Sequence, residues 1–191
     1  MLSICIFCGS SAGKNSSYKN AAIELGRLLA EKKLTLIYGG GNIGLMGAIA
    51  ESTIKNGGRA IGVIPQFLVD KELVYQELTE VRIVESMHER KAAMAELADA
   101  FIAMPGGFGT LEETVEALTW AQLGLHEKPI GLLNIDGYYD SLDEFFNHMV
   151  KEGFLLPEYK DMLRIEDDPA ALLASLAAYE LPLVDKWGNP N

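Results

Sequence analysis

Basic residues are scarce in this 191-residue chain, which has 16 lysines and arginines against 27 acidic residues and a formal net charge of −11. This excess of negative charge disfavours general binding to nucleic acids or to anionic membranes, because both are polyanions. It does not disfavour a small phosphorylated ligand, because a Debye length of about 8 Å makes the binding of such a ligand depend on local charges.

Long apolar runs and a leader pattern are also missing. No run approaches the roughly 20 apolar residues of a membrane-spanning helix. The first residues, MLSICIFCGSS, have a strand pattern without a preceding basic region. These features predict a cytoplasmic protein that partners neither membrane nor nucleic acid.

The chain has only two cysteines, Cys5 and Cys8. In a strand, their C-x-x-C spacing places the side chains on opposite faces and roughly 10 Å apart, which is too far for a disulfide. The histidines His88, His126 and His148 are scattered, so no second ligand pair completes a zinc site. Both cysteines are predicted to pack in the core, and no metal site is predicted.

Short apolar runs alternate with helical patterns along nearly the whole chain. The predicted strands cover 2–8, 34–39, 59–64, 80–85, 100–104 and 129–134, with a weaker one at 162–166. The predicted helices cover 17–32, 44–56, 86–98, 110–124, 140–152 and 168–179. This alternation is typical of a parallel sheet covered on both faces. It predicts a single doubly wound, Rossmann-like α/β domain with a mostly parallel sheet over 1–191, and a mobile tail from about residue 183.

Three glycine-bearing segments follow predicted strands: CGSSAGKNS, GGGNIGLMG and PGGFGTLEE. In a doubly wound sheet, ligands bind beyond the carboxyl ends of the strands, so the three segments are predicted to lie near one site. The candidates for a phosphate- or nucleotide-binding turn are Gly9, Ser10, Gly40, Gly41 and Gly106.

Two common phosphate motifs are incomplete in these segments. GSSAGKN is one residue too short between its glycines for a P-loop, and Asn15 replaces the magnesium-binding hydroxyl. GGGNIG matches G-x-G-x-x-G, but the next strand ends in Pro65 and Gln66, without the acidic residue that holds a ribose. A Walker ATPase and an NAD-binding protein are both disfavoured. Glycines that only form tight turns are the structural alternative.

The segment PGGFGTLEE, residues 105–113, resembles the P-G-G-x-G-T-x-x-E signature of the LONELY GUY family of cytokinin riboside 5′-monophosphate phosphoribohydrolases. MHERKAAM, residues 87–94, resembles the family's M-H-x-R-K signature, and the resemblance extends over nearly the whole chain. It implies hydrolysis of an N6-modified adenosine 5′-monophosphate to the free base and ribose 5-phosphate, without a metal or redox cofactor. It also implies a homodimer in which both subunits line each site. Such proteins are often labelled lysine decarboxylases, but nothing in this sequence marks a pyridoxal-binding lysine.

The resemblance also implies roles for single residues. Arg90 and Glu113 would form the catalytic pair. Substrate contacts would come from Glu72, Arg90, Lys91, Gly107, Phe108, Gly109, Thr110, Leu111, Glu112, Glu113 and Thr119. Physical chemistry favours the same roles, because a glycine turn at a helix start binds phosphate and a carboxylate one turn further on can activate water beside an oxocarbenium ion.

Structural alternatives exist for the same residues. Thr110 and Glu113 form a T-x-x-E pattern that is typical of a capping box. Arg90 could be a surface arginine, although it shares a helical face with Met87 and Met94, where it would need an anionic or planar partner. For the whole protein, the alternatives are a non-catalytic nucleotide-binding or carrier protein and an AMP nucleosidase.

Overall fold

The computed structural model describes residues 1–69 and 74–182. The strands of this part are β1 (Ser3–Phe7), β2 (Thr35–Tyr38), β3 (Arg59–Pro65), β4 (Glu80–Val84), β5 (Ala100–Ala103), β6 (Ile130–Leu133) and β7 (Leu163–Glu166). Its helices are α1 (Ser16–Glu31), α2 (Gly44–Lys55), α3 (Gln66–Val69), α4 (Met87–Leu97), α5 (Phe108–Gln122), α6 (Asp140–Lys151), α7 (Pro157–Lys160) and α8 (Pro169–Ala177), with a 3₁₀ turn at Ile135–Gly137. Every predicted strand and helix is present, with ends shifted by no more than two residues.

The seven strands form one sheet in the order β4-β3-β2-β1-β5-β6-β7, and every neighbouring pair is parallel. The chain builds outward from β1 to β4 and then returns to place β5 on the other side of β1. The loops after β1 and β5 therefore diverge, and a crevice opens between them at the carboxyl ends of the strands. The predicted doubly wound α/β fold is confirmed.

Two apolar cores cover the faces of the sheet. One contains residues of α1, α2 and α8, and the other contains residues of α4, α5, α6 and α7. Successive strand side chains alternate between these cores because a strand has a period of two. Cys8 accordingly lies in the first core and Cys5 in the second, and both are unpaired, which confirms the prediction made for them.

Sequence patterns missed the short elements. The helices α3 and α7 have four residues each and the 3₁₀ turn has three. Such elements are too short to show a helical period. Among the helices formed by the described residues, none is long and apolar enough to cross a membrane.

Candidate functional site

A cavity of about 340 Å³ lies at the switch point of the sheet. The ends of β1 and β2, the helices α2 and α4, and the start of α5 all contribute to it. Its lining consists of Ile6, Phe7, Cys8, Gly9, Ser10, Gly39, Met46, Arg90, Met94, Gly107, Phe108, Gly109, Thr110 and Glu113. All three glycine-bearing segments of the sequence therefore reach one cavity.

The helix α5 begins at this cavity, two residues earlier than predicted. Gly107 is its N-cap, and the N–H group of Leu111 donates to the Gly107 carbonyl over 3.1 Å. The N–H groups of Phe108, Gly109 and Thr110 therefore precede the first helical hydrogen bond and have no partner within the helix. They lie at the positive end of the helix dipole, which favours an anion.

The capping-box alternative for Thr110 and Glu113 is wrong. Thr110 lies inside the first turn of α5, and the N-cap position is taken by Gly107, which has no side chain to cap the helix. Thr110 is buried and packs against Gly106, where an added Cβ would lie 2.1 Å from Thr110 Oγ1. The carboxyl group of Glu113 is therefore not required to begin the helix.

At two positions of this turn, Gly107 and Gly109, the packing of the protein leaves room for a larger side chain. A Cβ added to either one would meet no atom within 4 Å. Neither residue has a positive φ, so the backbone conformation does not demand glycine. The absence of a side chain leaves open space beside the free N–H groups, where a ligand can approach the backbone.

Arg90 is buried on the inner face of α4, with 9% of its surface exposed. Its guanidinium packs on the backbone of Gly39, where a Cβ would lie 2.0 Å from Arg90 Nη2. Within the described part of the chain its Nε has no hydrogen-bond partner, and its Nη1 lies 3.7 Å from Met87 Sδ. The surface-arginine alternative is therefore wrong. A buried donor without a partner is unfavourable, and a ligand in the cavity could satisfy it.

Glu113 is half-buried one turn into α5 and lines the same cavity. Burial raises the pKa of Glu113 to about 6, against the opposing effect of the positive charge of Arg90 and with a further rise from the carboxylate of Glu112. A carboxyl group with a pKa this close to neutrality can exchange a proton at physiological pH.

Lys91 and Glu112 do not line this cavity but form an ion pair beside it. Lys91 Nζ lies 2.5 Å from Glu112 Oε1 and 2.9 Å from Glu116 Oε1. Burial alone would lower the pKa of Lys91, but hydrogen bonds to the two carboxylates outweigh it and raise this pKa. Both residues implied as substrate contacts are thus engaged with each other in this structure.

Two other predicted contacts lie in a different groove. Leu111 and Thr119 line an apolar groove between α5 and α6. Thr119 Oγ1 donates to the carbonyl of Val115 over 2.7 Å. Within one chain, the structure does not bring these two side chains to the cavity of Arg90 and Glu113.

The remaining predictions have mixed outcomes. Gly9, Ser10 and Gly107 line the cavity, and Gly106 packs directly behind it with its Cα near Gly9. Gly40 and Gly41 are buried and do not line it. Glu72 and the proposed mobile tail lie outside the described residues.

Sequence reasoning missed the residues that hold the glycine turn in place. The hydroxyl of Tyr138 donates to the Gly106 carbonyl over 2.5 Å, and that of Tyr139 donates to the Met104 carbonyl over 2.6 Å. Both tyrosines follow the 3₁₀ turn after β6, and no motif marks them. Gly39, whose backbone contacts Arg90, was also missed as a site residue. It is the first glycine of GGGNIG, so that motif could have identified it.

Solved structures with the same fold include two proteins of low sequence identity. A molybdenum cofactor binding protein from Rippkaea orientalis has a TM-score of 0.71 at 23% identity, covering 93% of this chain and 96% of that one. A Moco carrier protein from Chlamydomonas reinhardtii has a TM-score of 0.70 at 22% identity, covering 92% and 95%. At such identities the likeness concerns the fold alone.

Sequence relatives are much closer. Residues 46–176 match the model of a family described as "Possible lysine decarboxylase". The chain is 52% identical over 176 residues to a probable cytokinin riboside 5′-monophosphate phosphoribohydrolase of Oryza sativa subsp. japonica, covering 92% of this chain and 78% of that protein. It is 50% identical over 176 residues to a cytokinin riboside 5′-monophosphate phosphoribohydrolase of Arabidopsis thaliana, covering 92% and 82%. With half of its residues shared over nearly its whole length, the chain belongs to the same family as these proteins, the LONELY GUY family.

Proposed function

We propose that this protein hydrolyses the N-glycosidic bond of N6-modified adenosine 5′-monophosphates, such as N6-isopentenyladenosine 5′-monophosphate, to the free base and ribose 5-phosphate. One observation carries the proposal: the buried guanidinium of Arg90, whose Nε has no partner among the described residues, lines the same cavity as Glu113. A nucleotide supplies an anionic, planar partner for the arginine and a scissile bond for the carboxylate. The names of the relatives support the same activity.

The 5′-phosphate is proposed to bind at the start of α5. The unpaired N–H groups of Phe108, Gly109 and Thr110 converge there, and a helix N-terminus is worth up to about 2 kcal/mol to an anion. The open space beside Gly107 and Gly109 allows phosphate oxygens to reach the backbone. Glu113 follows one turn later, so the phosphate position brings the ribose towards its carboxylate.

The proposed chemistry needs Glu113 in its ionised form. With a pKa of about 6, this carboxyl group is mainly ionised at pH 7 to 8. It accepts a proton from water as the water oxygen bonds to C1′ of the ribose. The bond from C1′ to the base nitrogen breaks, and the base leaves with the bonding electrons and takes up a proton from solvent. The negative charge of Glu113 also stabilises the oxocarbenium-like transition state, while Arg90 holds the nucleotide.

Lysine decarboxylation does not fit this cavity. Pyridoxal-dependent decarboxylases need a lysine that forms a Schiff base with the cofactor. Among the described residues, the cavity lining contains one basic side chain, Arg90, and no lysine.

We also propose that the protein acts as a homodimer through the outer faces of α5 and α6. Large apolar side chains are exposed on and around these helices: Leu111, Val115, Leu123, Phe145 and Phe154. Several of them border an apolar groove of about 300 Å³. Phe108, which is 93% exposed, lies at the start of α5 and also lines the cavity, so a second copy on this face would lie beside the site.

The decisive experiment incubates the pure protein with N6-isopentenyl-AMP, AMP and the two matching nucleosides, and quantifies released bases and ribose 5-phosphate. We expect release from the N6-modified monophosphate, much faster than from its nucleoside, because the start of α5 contributes binding energy only when phosphate is present. Measurable binding without any released base would make the protein a nucleotide carrier and overturn the proposal. Faster cleavage of plain AMP would make it an AMP nucleosidase.

A further inference from the structure

Lys91 connects the two helices that carry the proposed catalytic pair. It follows Arg90 on α4, and it contacts Glu112, which precedes Glu113 on α5. Its Nζ lies 2.5 Å from Glu112 Oε1 and 2.9 Å from Glu116 Oε1, one helical turn further along α5. One ammonium group thus joins α4 to two successive turns of α5.

The burial of this group distinguishes it from an ordinary surface ion pair. The side chain of Lys91 is 12% exposed, against 66% for Lys55, which pairs with Glu51 on α2. Lys91 does not line the cavity, so its charge is directed at the two glutamates and away from the space where the nucleotide is proposed to bind. Of its two partners, Glu116 is 26% exposed and Glu112 is 56% exposed, so the bond to Glu116 is the one that solvent and salt screen least.

We infer that Lys91 is a positioning residue that fixes α4 against α5 and neutralises Glu112 and Glu116, so that Glu113 remains ionised at the pH where it must accept a proton. This inference rests on the proposed function for the role of Glu113. It assigns to Lys91 an action through other side chains, in place of the direct substrate contact that the family resemblance implies.

The charges around Glu113 support this role. From α4 it faces Arg90 and Lys91, which both lower its pKa, and from its own helix it faces Glu112 and Glu116, which both raise it. It also faces the thiol of Cys5 on β1 and that of Cys8 just after β1, and burial raises both thiol pKa values so far that the thiols are neutral. Without Lys91, two uncompensated carboxylates would remain next to Glu113, and its pKa would rise further.

The test replaces Lys91 with methionine and measures the ionisation of Glu113 in two independent ways. The first is a ¹³C NMR titration of the glutamate carboxyl groups in the free protein, with the Glu113 signal assigned from Glu113→Gln. The second is the acid limb of the pH profile of kcat/KM. We expect both to move upward by about half a pH unit or more, with KM at pH 8.5 unchanged within about twofold.

Matched variants separate charge from structure. Lys91→Arg keeps the positive charge and should leave the titration in place, and so should Lys55→Met, which removes a lysine pair on α2. Combining Lys91→Met with Glu112→Gln and Glu116→Gln removes all three charges and should reverse the upward shift.

Two outcomes would overturn the inference. An unmoved titration with a raised KM at every pH would make Lys91 a substrate contact, and an unmoved titration with a lowered melting temperature alone would make it a purely structural link. If the wild-type protein hydrolyses no nucleotide, the proposed function fails, but the NMR titration still decides whether Lys91 controls the ionisation of Glu113.

Discussion

Replacement of Glu113 by glutamine should remove most of the hydrolysis and also make the protein more stable. Glutamine has nearly the same shape, and α5 does not use the Glu113 side chain as a cap. The substitution therefore changes charge and basicity with little change in packing. General-base catalysis contributes about 10² to 10⁴ in rate, so a loss of at least about a hundredfold in kcat is expected.

The gain in stability follows from the raised pKa of Glu113. Burial moves this pKa from its ordinary value of 4.5 to about 6. The folded state therefore holds a proton that the unfolded state releases, and ionised Glu113 opposes folding. At about 1.36 kcal/mol per pH unit, the penalty is about 2 kcal/mol at pH 8, where both states are ionised. It falls to below about 1 kcal/mol at pH 5 and disappears well below pH 4.5, where both states are protonated.

Urea unfolding at pH 8 and at pH 5 measures this difference. The variant should be more stable than the wild type by about 2 kcal/mol at pH 8, which corresponds to a melting temperature about 4 to 8 °C higher. Its advantage should shrink at pH 5. Glu180→Gln, at an exposed position after α8 and away from the proposed dimer face, is the control and should change neither activity nor stability. Turnover near that of the wild type would show that the catalytic carboxylate lies elsewhere, and a stability gain that does not vary with pH would refute the buried-charge argument.

Three further predictions concern the ligand and the assembly. Arg90→Ala should be inactive and should bind the monophosphate at least about tenfold more weakly in calorimetry, because a charged hydrogen-bond partner is lost. Unchanged affinity would show that Arg90 does not contact the nucleotide. Activity should persist in excess EDTA and without added NAD or pyridoxal phosphate, and a loss on chelation that a metal ion restores would contradict the proposed metal-free mechanism. Wild-type protein at micromolar concentration should have a dimer mass in light scattering, and a monomer mass would contradict the proposed dimer. Val115→Glu should convert the dimer to a monomer, whereas the control Ile23→Glu, on the exposed side of α1, should not.

The strands of the sheet were predictable because burial on both faces leaves a clear apolar pattern in the sequence. Strands such as β1 and β5 are buried on both faces, so their sequences are largely apolar runs, and a glycine or proline follows each of them within two residues. The order of the strands then places the loops after β1 and β5 at the switch point. The sequence alone therefore indicated that its three glycine-bearing segments would meet at one site, and all three reach the cavity.

The start of α5 was less predictable, because two local patterns compete there. T-x-x-E at Thr110 and Glu113 has the spacing of a capping box, and it indicated a helix that begins at Thr110. In the structure the helix begins at Phe108, because Gly107 can serve as a bare N-cap and Thr110 fits against Gly106 in the first turn. Tertiary contacts of this kind leave no periodic signal in the sequence.

Contacts between distant segments were not predictable at all. Tyr138 bonds to Gly106 across 32 residues of chain, and Arg90 packs on Gly39 across 51. The apolar face of α4 indicated that Arg90 points inward, but it could not indicate which backbone the guanidinium would meet. Such pairs arise only when the sheet brings the ends of its strands together.

The geometry of α5 is compatible with the proposed placement of a catalytic carboxylate beside a phosphate that it would repel. The free N–H groups at Phe108, Gly109 and Thr110 point out of the helix start along its axis, whereas the Glu113 side chain projects sideways one turn later. A turn separates two points along the axis by about 5.4 Å. The positive end of the helix dipole would then serve the proposed phosphate, and the buried cation of Arg90 lies on the cavity wall that Glu113 also lines. In the free protein, the positive charge of Arg90 only partly offsets the burial that raises the pKa of Glu113. We infer that the remaining penalty keeps the carboxylate basic enough to take a proton from water, since a fully paired carboxylate would be a weaker base.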